Sequence, residues 1–443
     1  MSGIVPAPAS ALPSGIRARI VPDVNGLAFH VLEAGWTGDR PTVLLLHGFP
    51  EIAYSWRKVM GPLAEAGYHV IAPDQRGYGR TSPTPIPFED DLAPFELLNL
   101  VRDMVALTAA LGIKSVSCVV GHDYGAGAAA ACALVRPDLF RSLIIMSAPF
   151  MGPPSWPLPP PRTSDPVNDA LAKLNPPRKH YHAYFATSGA NENMWHSPQG
   201  VHAFLRAYFH FKSGDWPGNQ PFALKSWVAE ELAQMPHYYI MPRELGMADT
   251  VAPEIPSDAN IAACAWLTER ELEFYNEEYG RTGLQGGLQW YRGRMNGSLA
   301  HNLALFAGRT IDCPALFMAG DRDWGAQQIP GGLKRMRSAV FTRMQEPHSS
   351  PAPVTGCSRS SPKRPPRESL NFCTSTKTNK TGSKRNGRRW NTRDGPDHHG
   401  RTGRAVSGHY DLADGPLSGQ DLGRLHGRGA LGAGRHHRRA HDV

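Results

Sequence analysis

A carboxylate stands in a turn between two predicted elements of secondary structure. Asp123 is the centre of Gly121-His122-Asp123-Tyr124-Gly125, which follows an apolar segment and precedes a segment rich in alanine. Glycines on both sides of such a turn remove Cβ atoms that would clash, so the central side chain projects at the start of the helix. A carboxylate there can attack carbon and form an alkyl ester, which suits epoxides and carbon–halogen bonds rather than amides. The alternative is that Asp123 only caps the helix.

Two other loops carry groups that could assist this chemistry. Residues 47–50 (HGFP) follow a leucine-rich segment, and the Phe49 N–H can lie beside that of Tyr124 to form an anion site with two donors. Residues 319–324 (AGDRDW) follow another apolar segment, and an acid in that loop can orient a histidine that activates water. Either loop alone is compatible with an ordinary turn, so the prediction depends on all three lying together.

The order of the predicted elements brings the three loops together. Apolar segments predict strands at 26–33, 41–47, 68–73, 115–120, 141–147 and 314–320, and helical periodicity predicts helices at 56–66, 95–111, 126–135 and 332–339. Strands that alternate with helices form a parallel sheet with helices on both faces. The carboxyl ends of such strands share one edge, where all three loops would lie. The predicted fold class is therefore α/β, with a mostly parallel central sheet.

Composition divides the chain into four parts. Residues 25–150 form the first part of the α/β core, and residues 306–345 form its second part. Between them, residues 151–305 begin with a proline-rich loop and continue as aromatic-rich helices without a strong strand, which predicts a helical lid. Residues 346–443 are a basic low-complexity tail, predicted to be disordered because its composition cannot bury enough apolar surface to offset chain entropy.

Charge and cysteine usage exclude several classes of protein. The 443 residues include 47 basic and 39 acidic side chains, a net charge of +8, but the positive excess lies in 347–443. Nucleic acid and membranes are therefore not expected partners of the folded part. The N-terminus does not resemble a signal peptide, and no uninterrupted apolar segment is long enough to span a bilayer. The six cysteines form no CxxC pair, which predicts a cytoplasmic protein.

These motifs resemble those of the α/β-hydrolase fold, and within it the soluble epoxide hydrolase and haloalkane dehalogenase group. The resemblance runs from about residue 25 to residue 345 and rests on HGFP at 47–50, DQRGYG at 74–79, GHDYG at 121–125 and GDRD at 320–323. It implies that Asp123 is the nucleophile and that Asp323 is the acid that orients the base, with Asp321 the weaker candidate. The backbone amides of Phe49 and Tyr124 would form the oxyanion hole.

The resemblance also implies a tyrosine pair. Epoxide hydrolases of this group use two lid tyrosines to bind the epoxide oxygen and to supply its proton. Tyr291, in LQWYR at 288–292, matches the second motif, and Tyr184 is the preferred first tyrosine, with Tyr181 and Tyr208 as competitors. Dehalogenases commonly place Trp after the nucleophile, so Tyr124 favours epoxides. The residues expected to line the substrate pocket are His47, His122, Trp290 and Trp324.

The C-terminal part departs from the family pattern. The family has a Gly-x-Gly-His-Trp-like loop after the acid, but this chain has none, and His348 stands in EPHSSP without glycines. Regrouping plausible codons for residues 350–362 by one base produces PGAGHWVQQEQP, which restores that loop. We therefore expect that the tail is out of frame. The catalytic histidine and the last strand and helix of the sheet would then be missing.

The sequence predicts a hydrolase that opens an epoxide to a vicinal diol through an ester on Asp123, impaired in turnover by loss of the histidine. This chemistry requires no metal or organic cofactor. The expected partner is a small apolar epoxide-like molecule, and a homodimer is left open. The alternatives are a haloalkane or haloacid dehalogenase, and a non-catalytic protein of this fold that binds a small apolar ligand. A nucleic-acid-binding protein that acts through its basic tail ranks third.

Overall fold

The computed structural model describes residues 4–158 and 164–345, and its centre is an eight-stranded sheet. The strands that precede the helical insertion are β1 Ile16–Val24, β2 Leu27–Ala34, β3 Thr42–Leu46, β4 His69–Pro73, β5 Val116–His122 and β6 Leu143–Met146. The insertion contains a separate two-stranded sheet, β7 Arg178–His180 and β8 Ile240–Pro242, and the main sheet is completed by β9 Ala315–Met318 and β10 Met344–Gln345.

The strand order of the main sheet is β1-β2-β4-β3-β5-β6-β9-β10. β2 pairs antiparallel with both β1 and β4, whereas every pair from β4 to β10 is parallel. The register sets Leu46 beside Gly121 and Met146 beside both His122 and Met318. The loops after β3, β5 and β9 therefore leave the sheet at the same edge. This sheet confirms the predicted fold class.

Helices cover both faces of the sheet. The core helices before the insertion are α1 Arg57–Glu65, α2 Leu97–Ala110 and α3 Tyr124–Val135. The helices of the insertion are α4 Pro166–Leu171, α5 Tyr181–Phe185, α6 Gly189–Trp195, α7 Gly200–Phe211, α8 Ala229–Leu232, α9 Met247–Val251, α10 Asp258–Ala263, α11 Glu269–Thr282, α12 Gln285–Met295 and α13 Ser298–His301. After β9, α14 Gly332–Arg335 continues into the π-helical turn Met336–Val340.

Strand β3 shows how the sequence forms this layered core. All five of its residues are buried, as expected of a strand whose two faces are both covered. Val43 and Leu45 belong to the apolar cluster that contains α1 residues, whereas Leu44 and Leu46 belong to the larger cluster that contains residues of α2, α3 and the insertion. Alternate side chains of one strand thus anchor opposite helical layers, and the loop after Leu46 is held in place from both sides.

Four strands differ from the sequence expectations. β1 was not predicted, because it lies before the expected start of the core and only some of its positions are buried. The expectation of no strong strand in the insertion is wrong, because β7 and β8 pair there over three residues each. β10 was not predicted either, and it pairs parallel with β9. The strand and helix expected after the histidine loop would lie beyond residue 345, outside the described residues.

Several expectations concern residues outside the described ranges. They are the disorder of the tail at 346–443, the change of reading frame at 350–362 and any role of His348. Within residues 4–158 and 164–345, no helix is both long enough and apolar enough to cross a membrane.

Candidate active site

The turn that carries Asp123 connects β5 directly to α3. Asp123 has φ +54° and ψ −123°, a conformation that L-residues rarely adopt and that is typical of strained functional turns. The flanking glycines make the turn possible, because a Cβ on Gly121 would overlap the backbone of Gly125, and a Cβ on Gly125 would overlap the carbonyl of Leu46. The Asp123 side chain makes no capping hydrogen bond to α3. Its role is therefore not that of a helix cap.

The loop after β3 lies against the Asp123 carboxylate. The Phe49 N–H donates to Asp123 Oδ1 at 3.1 Å. Gly48 is required for this approach, because a Cβ at that position would overlap the Asp123 side chain. An N–H already directed at the carboxylate can stabilise negative charge that develops there during hydrolysis of an ester. The structure thus brings Phe49 and Asp123 together, as the predicted oxyanion site requires.

His47 and His122, which were expected to line the pocket, instead hold the loop after β3 in place through buried polar contacts. His122 Nδ1 lies 2.7 Å from Glu51 Oε2, and the same carboxylate oxygen accepts from the Gly48 N–H at 3.2 Å. His47 Nε2 accepts from the Gln75 N–H at 3.1 Å, and its Nδ1 lies 3.0 Å from the Gly48 carbonyl oxygen. Burial lowers the pKa of His47. A neutral imidazole engaged at both nitrogens is suited to holding the loop rather than to activating water.

Asp323 lies in the loop after β9, and one of its two carboxylate oxygens accepts a hydrogen bond. Its Oδ1 accepts from the Gly325 N–H at 2.7 Å, whereas Oδ2 is buried and has no hydrogen-bond partner in the described parts of the chain. Asp321 is exposed. Trp324 is buried, and its ring centroid lies 5.1 Å from that of Phe222. A buried carboxylate oxygen without a partner is costly, and a donor such as an imidazole N–H would satisfy it.

Aromatic rings from the insertion lie over the Asp123 turn. The ring centroid of Tyr291 on α12 lies 4.5 Å from that of Tyr124 and 5.3 Å from that of Phe49. Trp290 lies edge-on to Tyr124 at 6.0 Å, and its Nε1–H donates to the Arg76 carbonyl. Tyr291 is only 1% exposed. The predicted second tyrosine is therefore placed beside the turn, and Trp290 supports it from the adjacent position.

The structure brings Tyr181, and not Tyr184, to this cluster. The ring centroid of Tyr181 lies 5.9 Å from that of Tyr291, and its hydroxyl donates to Gln328 at 3.3 Å. The hydroxyl of Tyr184 donates to Asn193 Oδ1 at 2.9 Å, and the Lys179 ammonium lies 4.5 Å from its ring centroid. Both tyrosines belong to the five-residue helix α5 but point in different directions. Tyr184 is accordingly replaced by Tyr181 in the arrangement that we propose below.

Tyr208, the other competitor, lies on α7. Its hydroxyl accepts from the Lys212 ammonium at 3.4 Å, and its ring centroid lies 5.7 Å from that of Phe204. The hydroxyl is thus directed toward a lysine within the insertion.

Burial and the nearby carboxylate keep the tyrosine hydroxyls protonated. Burial raises the pKa of Tyr291 well above its usual range, and the negative charge of Asp123 raises it further. The same two causes, in the same order, raise the pKa of Tyr181. A phenol that remains protonated at neutral pH can donate a hydrogen bond to an oxygen that becomes an alkoxide. The site therefore combines a carboxylate with two proton donors.

The described residues do not supply a base for Asp323. Two histidines of the insertion, His180 and His182, lie near the tyrosines, with the His182 ring centroid 5.5 Å from that of Tyr291. Burial lowers the pKa of His180 to about 3 and that of His182 well below its usual range. In the parts of the chain that the structure covers, no imidazole forms a hydrogen bond with Asp323 Oδ2.

Known proteins are similar to this chain in sequence and in fold. Residues 41–174 match the family model for the alpha/beta hydrolase fold. The chain is 33% identical over 303 residues to epoxide hydrolase A of Mycobacterium tuberculosis, covering 68% of this chain and 81% of that protein. It is 30% identical over 331 residues to epoxide hydrolase 2 of Siraitia grosvenorii, covering 72% of this chain and 85% of that protein.

Solved structures of epoxide hydrolases superpose on this chain. An epoxide hydrolase from an endophytic Streptomyces superposes with a TM-score of 0.62 at 28% identity, covering 82% of this chain and 96% of that chain. Epoxide hydrolase I of potato, Solanum tuberosum, superposes with a TM-score of 0.54 at 29% identity, covering 75% and 91% of the two chains. The fold and the similarity to these proteins define an α/β hydrolase. Within that family, the chain belongs to the epoxide hydrolase group.

Proposed function

We propose that this chain opens an epoxide by direct attack of the Asp123 carboxylate on a ring carbon. The observation that carries the proposal is the position of the half-buried Asp123, held in a strained turn near Tyr291 and Tyr181. A bond forms between a carboxylate oxygen and carbon while the carbon–oxygen bond of the epoxide breaks. The released oxygen takes its proton from Tyr291 or Tyr181, and the helical insertion acts as a lid that limits the access of water.

The second half of the reaction is hydrolysis of the ester. Water must attack the ester carbonyl, whose oxygen the Phe49 N–H would stabilise, and a base must remove a proton from that water. Asp323 is positioned to orient such a base, but its Oδ2 has no partner within the described ranges. We therefore expect ring opening to proceed and the ester on Asp123 to persist.

The substrate class and compartment belong to the same proposal. The relatives reported above are named epoxide hydrolases, and the cluster of aromatic rings beside Asp123 suits an apolar body around the epoxide. Cys118, Cys132, Cys264 and Cys313 carry free thiols, in keeping with the reducing environment of a cytoplasm.

Trapping of the ester by mass spectrometry tests the proposal. The full chain is incubated with styrene oxide, and intact mass and peptide mapping are followed over time, with Asp123→Asn as the matched control. We expect a gain of one epoxide mass on the Asp123 peptide, absent in the variant, that decays slowly. Failure to form either adduct or diol would contradict ring opening. Sustained diol formation with a rapidly clearing adduct would instead contradict the expected persistence of the ester. Halide release from a haloalkane without any epoxide reaction would favour a dehalogenase.

A further inference from the structure

One cation at the edge of the tyrosine cluster lacks a partner. Arg294 lies in the last turn of α12, is half-buried, and forms no hydrogen bond or ion pair with any residue in the covered ranges. By contrast, Arg292 on the same helix donates to Gln289 and lies over the ring of Phe88. A partly buried guanidinium that is left without an acceptor is expected to bind an anion when one is supplied.

Helical geometry places Arg294 toward the site. Tyr291 and Arg294 are three residues apart on α12, so their side chains are neighbours on one helix face, with Cβ atoms about 5–6 Å apart. Tyr291 lies against Tyr124 beside the nucleophile turn. Because both side chains leave the same face of α12, a ligand that reaches Tyr291 can extend along the helix toward Arg294.

Two imidazoles and a phenol, none of them negatively charged, lie within the electrostatic reach of Arg294. Burial is the main reason that the pKa of both His180 and His182 falls, and the positive charge of Arg294 contributes in each case. These imidazoles are consequently neutral neighbours of the guanidinium. Burial raises the pKa of Tyr124, Arg294 opposes this rise, and the Tyr124 hydroxyl is buried without a hydrogen-bond partner among the described residues. A cation and a free buried hydroxyl thus adjoin one region of the site.

We propose that Arg294 binds the carboxylate of a substrate in which a short carbon chain joins an epoxide to a carboxylate. The inference rests on the proposed function and narrows its substrate class from apolar epoxides to epoxy acids. A singly charged carboxylate fits better than a phosphate dianion, because Asp123 and Asp323 already place two negative groups in the site. The guanidinium would hold the carboxylate end while Asp123 attacks the epoxide end.

Binding of unreactive ligands tests Arg294 without requiring chemistry. Heptanoate and heptanamide are titrated calorimetrically into the full chain and into Arg294→Met, Arg294→Lys and Arg309→Met, the last being an exposed control. We expect heptanoate to bind about 10- to 100-fold more tightly than the amide, a preference lost in Arg294→Met, partly kept in Arg294→Lys and unchanged in Arg309→Met. Equal binding of the two ligands would overturn the inference.

Lys212 provides a second check on the assignment. Its ammonium lies 4.9 Å from the ring centroid of Tyr239 and 5.2 Å from that of Tyr208, so it is a second cation near the tyrosines of the insertion. The preference for heptanoate should survive Lys212→Met. Loss of the preference in that variant but not in Arg294→Met would assign the anion site to Lys212 and refute the inference.

The covalent reaction separates the inference from the function on which it rests. A seven-carbon terminal epoxy acid and its primary amide are compared by their rates of adduct formation on Asp123. We expect the acid to react faster in the full chain and the rates to converge in Arg294→Met. Adducts at equal rates in both proteins would refute the role of Arg294 while supporting the proposed function. A binding preference for heptanoate without any adduct would refute the function and support the anion site.

Discussion

Replacing Tyr181 and Tyr184 separately by phenylalanine tests which tyrosine of α5 takes part in ring opening. The two residues differ in their contacts, since Tyr181 lies 5.9 Å from Tyr291 whereas the Tyr184 hydroxyl donates to Asn193. Tyr181→Phe removes a donor beside the nucleophile. Tyr184→Phe removes a donor of the same kind from the same short helix, and it is therefore a matched control.

The contacts of the two tyrosines predict different losses of rate and of stability for the two variants. Loss of one of two donors to a developing oxyanion typically slows the reaction about 10²- to 10³-fold, or roughly 3–4 kcal/mol. In the resting protein Tyr181 loses only the 3.3 Å bond to Gln328, so its variant should be nearly as stable as the original chain. Tyr184→Phe loses a 2.9 Å bond, worth about 1 kcal/mol. Asn193 Oδ1 still accepts a hydrogen bond from the Ala248 N–H in this variant, so the substitution leaves no unsatisfied acceptor.

Single-turnover formation of the Asp123 ester is the appropriate assay, because it does not depend on the second half-reaction. Rapid quenching with styrene oxide followed by intact mass measurement yields the rate, and thermal melts report stability. We expect Tyr181→Phe and Tyr291→Phe to slow ester formation by about two orders of magnitude. Tyr184→Phe should leave that rate nearly unchanged and lower Tm by about 1–2 °C. A larger rate loss in Tyr184→Phe than in Tyr181→Phe would refute the assignment.

Four further variants address the turn, the hydrolysis of the ester and a buried carboxylate of β2. Gly48→Ala should slow ester formation about 100-fold, because its Cβ displaces Asp123, and an unchanged quench-flow rate would contradict this. Asp323→Asn and His348→Ala should leave the lifetime of the Asp123 ester unchanged, and a longer lifetime in either variant would reveal a base beyond the described residues. For Glu33, burial acts to raise the pKa, but hydrogen bonds from His69 and Arg17 lower it from 4.5 to about 2. Its stabilisation is therefore fully present above pH 4.5 and is lost as the pH falls toward 2. The Tm difference between the original chain and Glu33→Gln should shrink over that range.

The parallel part of the sheet could be predicted because its signals are local. Strand β3 is apolar at four of its five positions, and α3 follows a turn whose glycines mark a strand-to-helix reversal. β1 was missed because it is an antiparallel edge strand with only three fully buried positions among nine. β10 was missed because its two residues acquire strand structure only by pairing with Ala315 and Leu316. Edge strands depend on partners that are distant in sequence, and a single sequence does not show those partners.

The candidate site also contains residues that local motifs predict and residues that only tertiary contacts identify. The placement of Asp123 and Phe49 follows from short motifs whose geometry is enforced by adjacent glycines. The choice between Tyr181 and Tyr184 depends on which ring reaches Tyr291, a residue more than a hundred positions later. α5 has only five residues, so helical periodicity could not assign a face. The preferred Tyr184 was therefore reasonable from sequence, and only the tertiary contacts favour its neighbour.

The two half-reactions of the proposed mechanism depend on different parts of the chain. Ring opening needs a carboxylate and phenol donors, and these come from the loop after β5 and from helices α5 and α12. Ester hydrolysis needs the Phe49 N–H from the loop after β3, together with Asp323 and a base that it can orient. The unpartnered Oδ2 of Asp323 is a buried acceptor whose desolvation is uncompensated in the described residues. Such an atom is best explained as the position where an imidazole N–H would bind. A change confined to the C-terminal segment could consequently abolish turnover while leaving covalent capture of the epoxide intact.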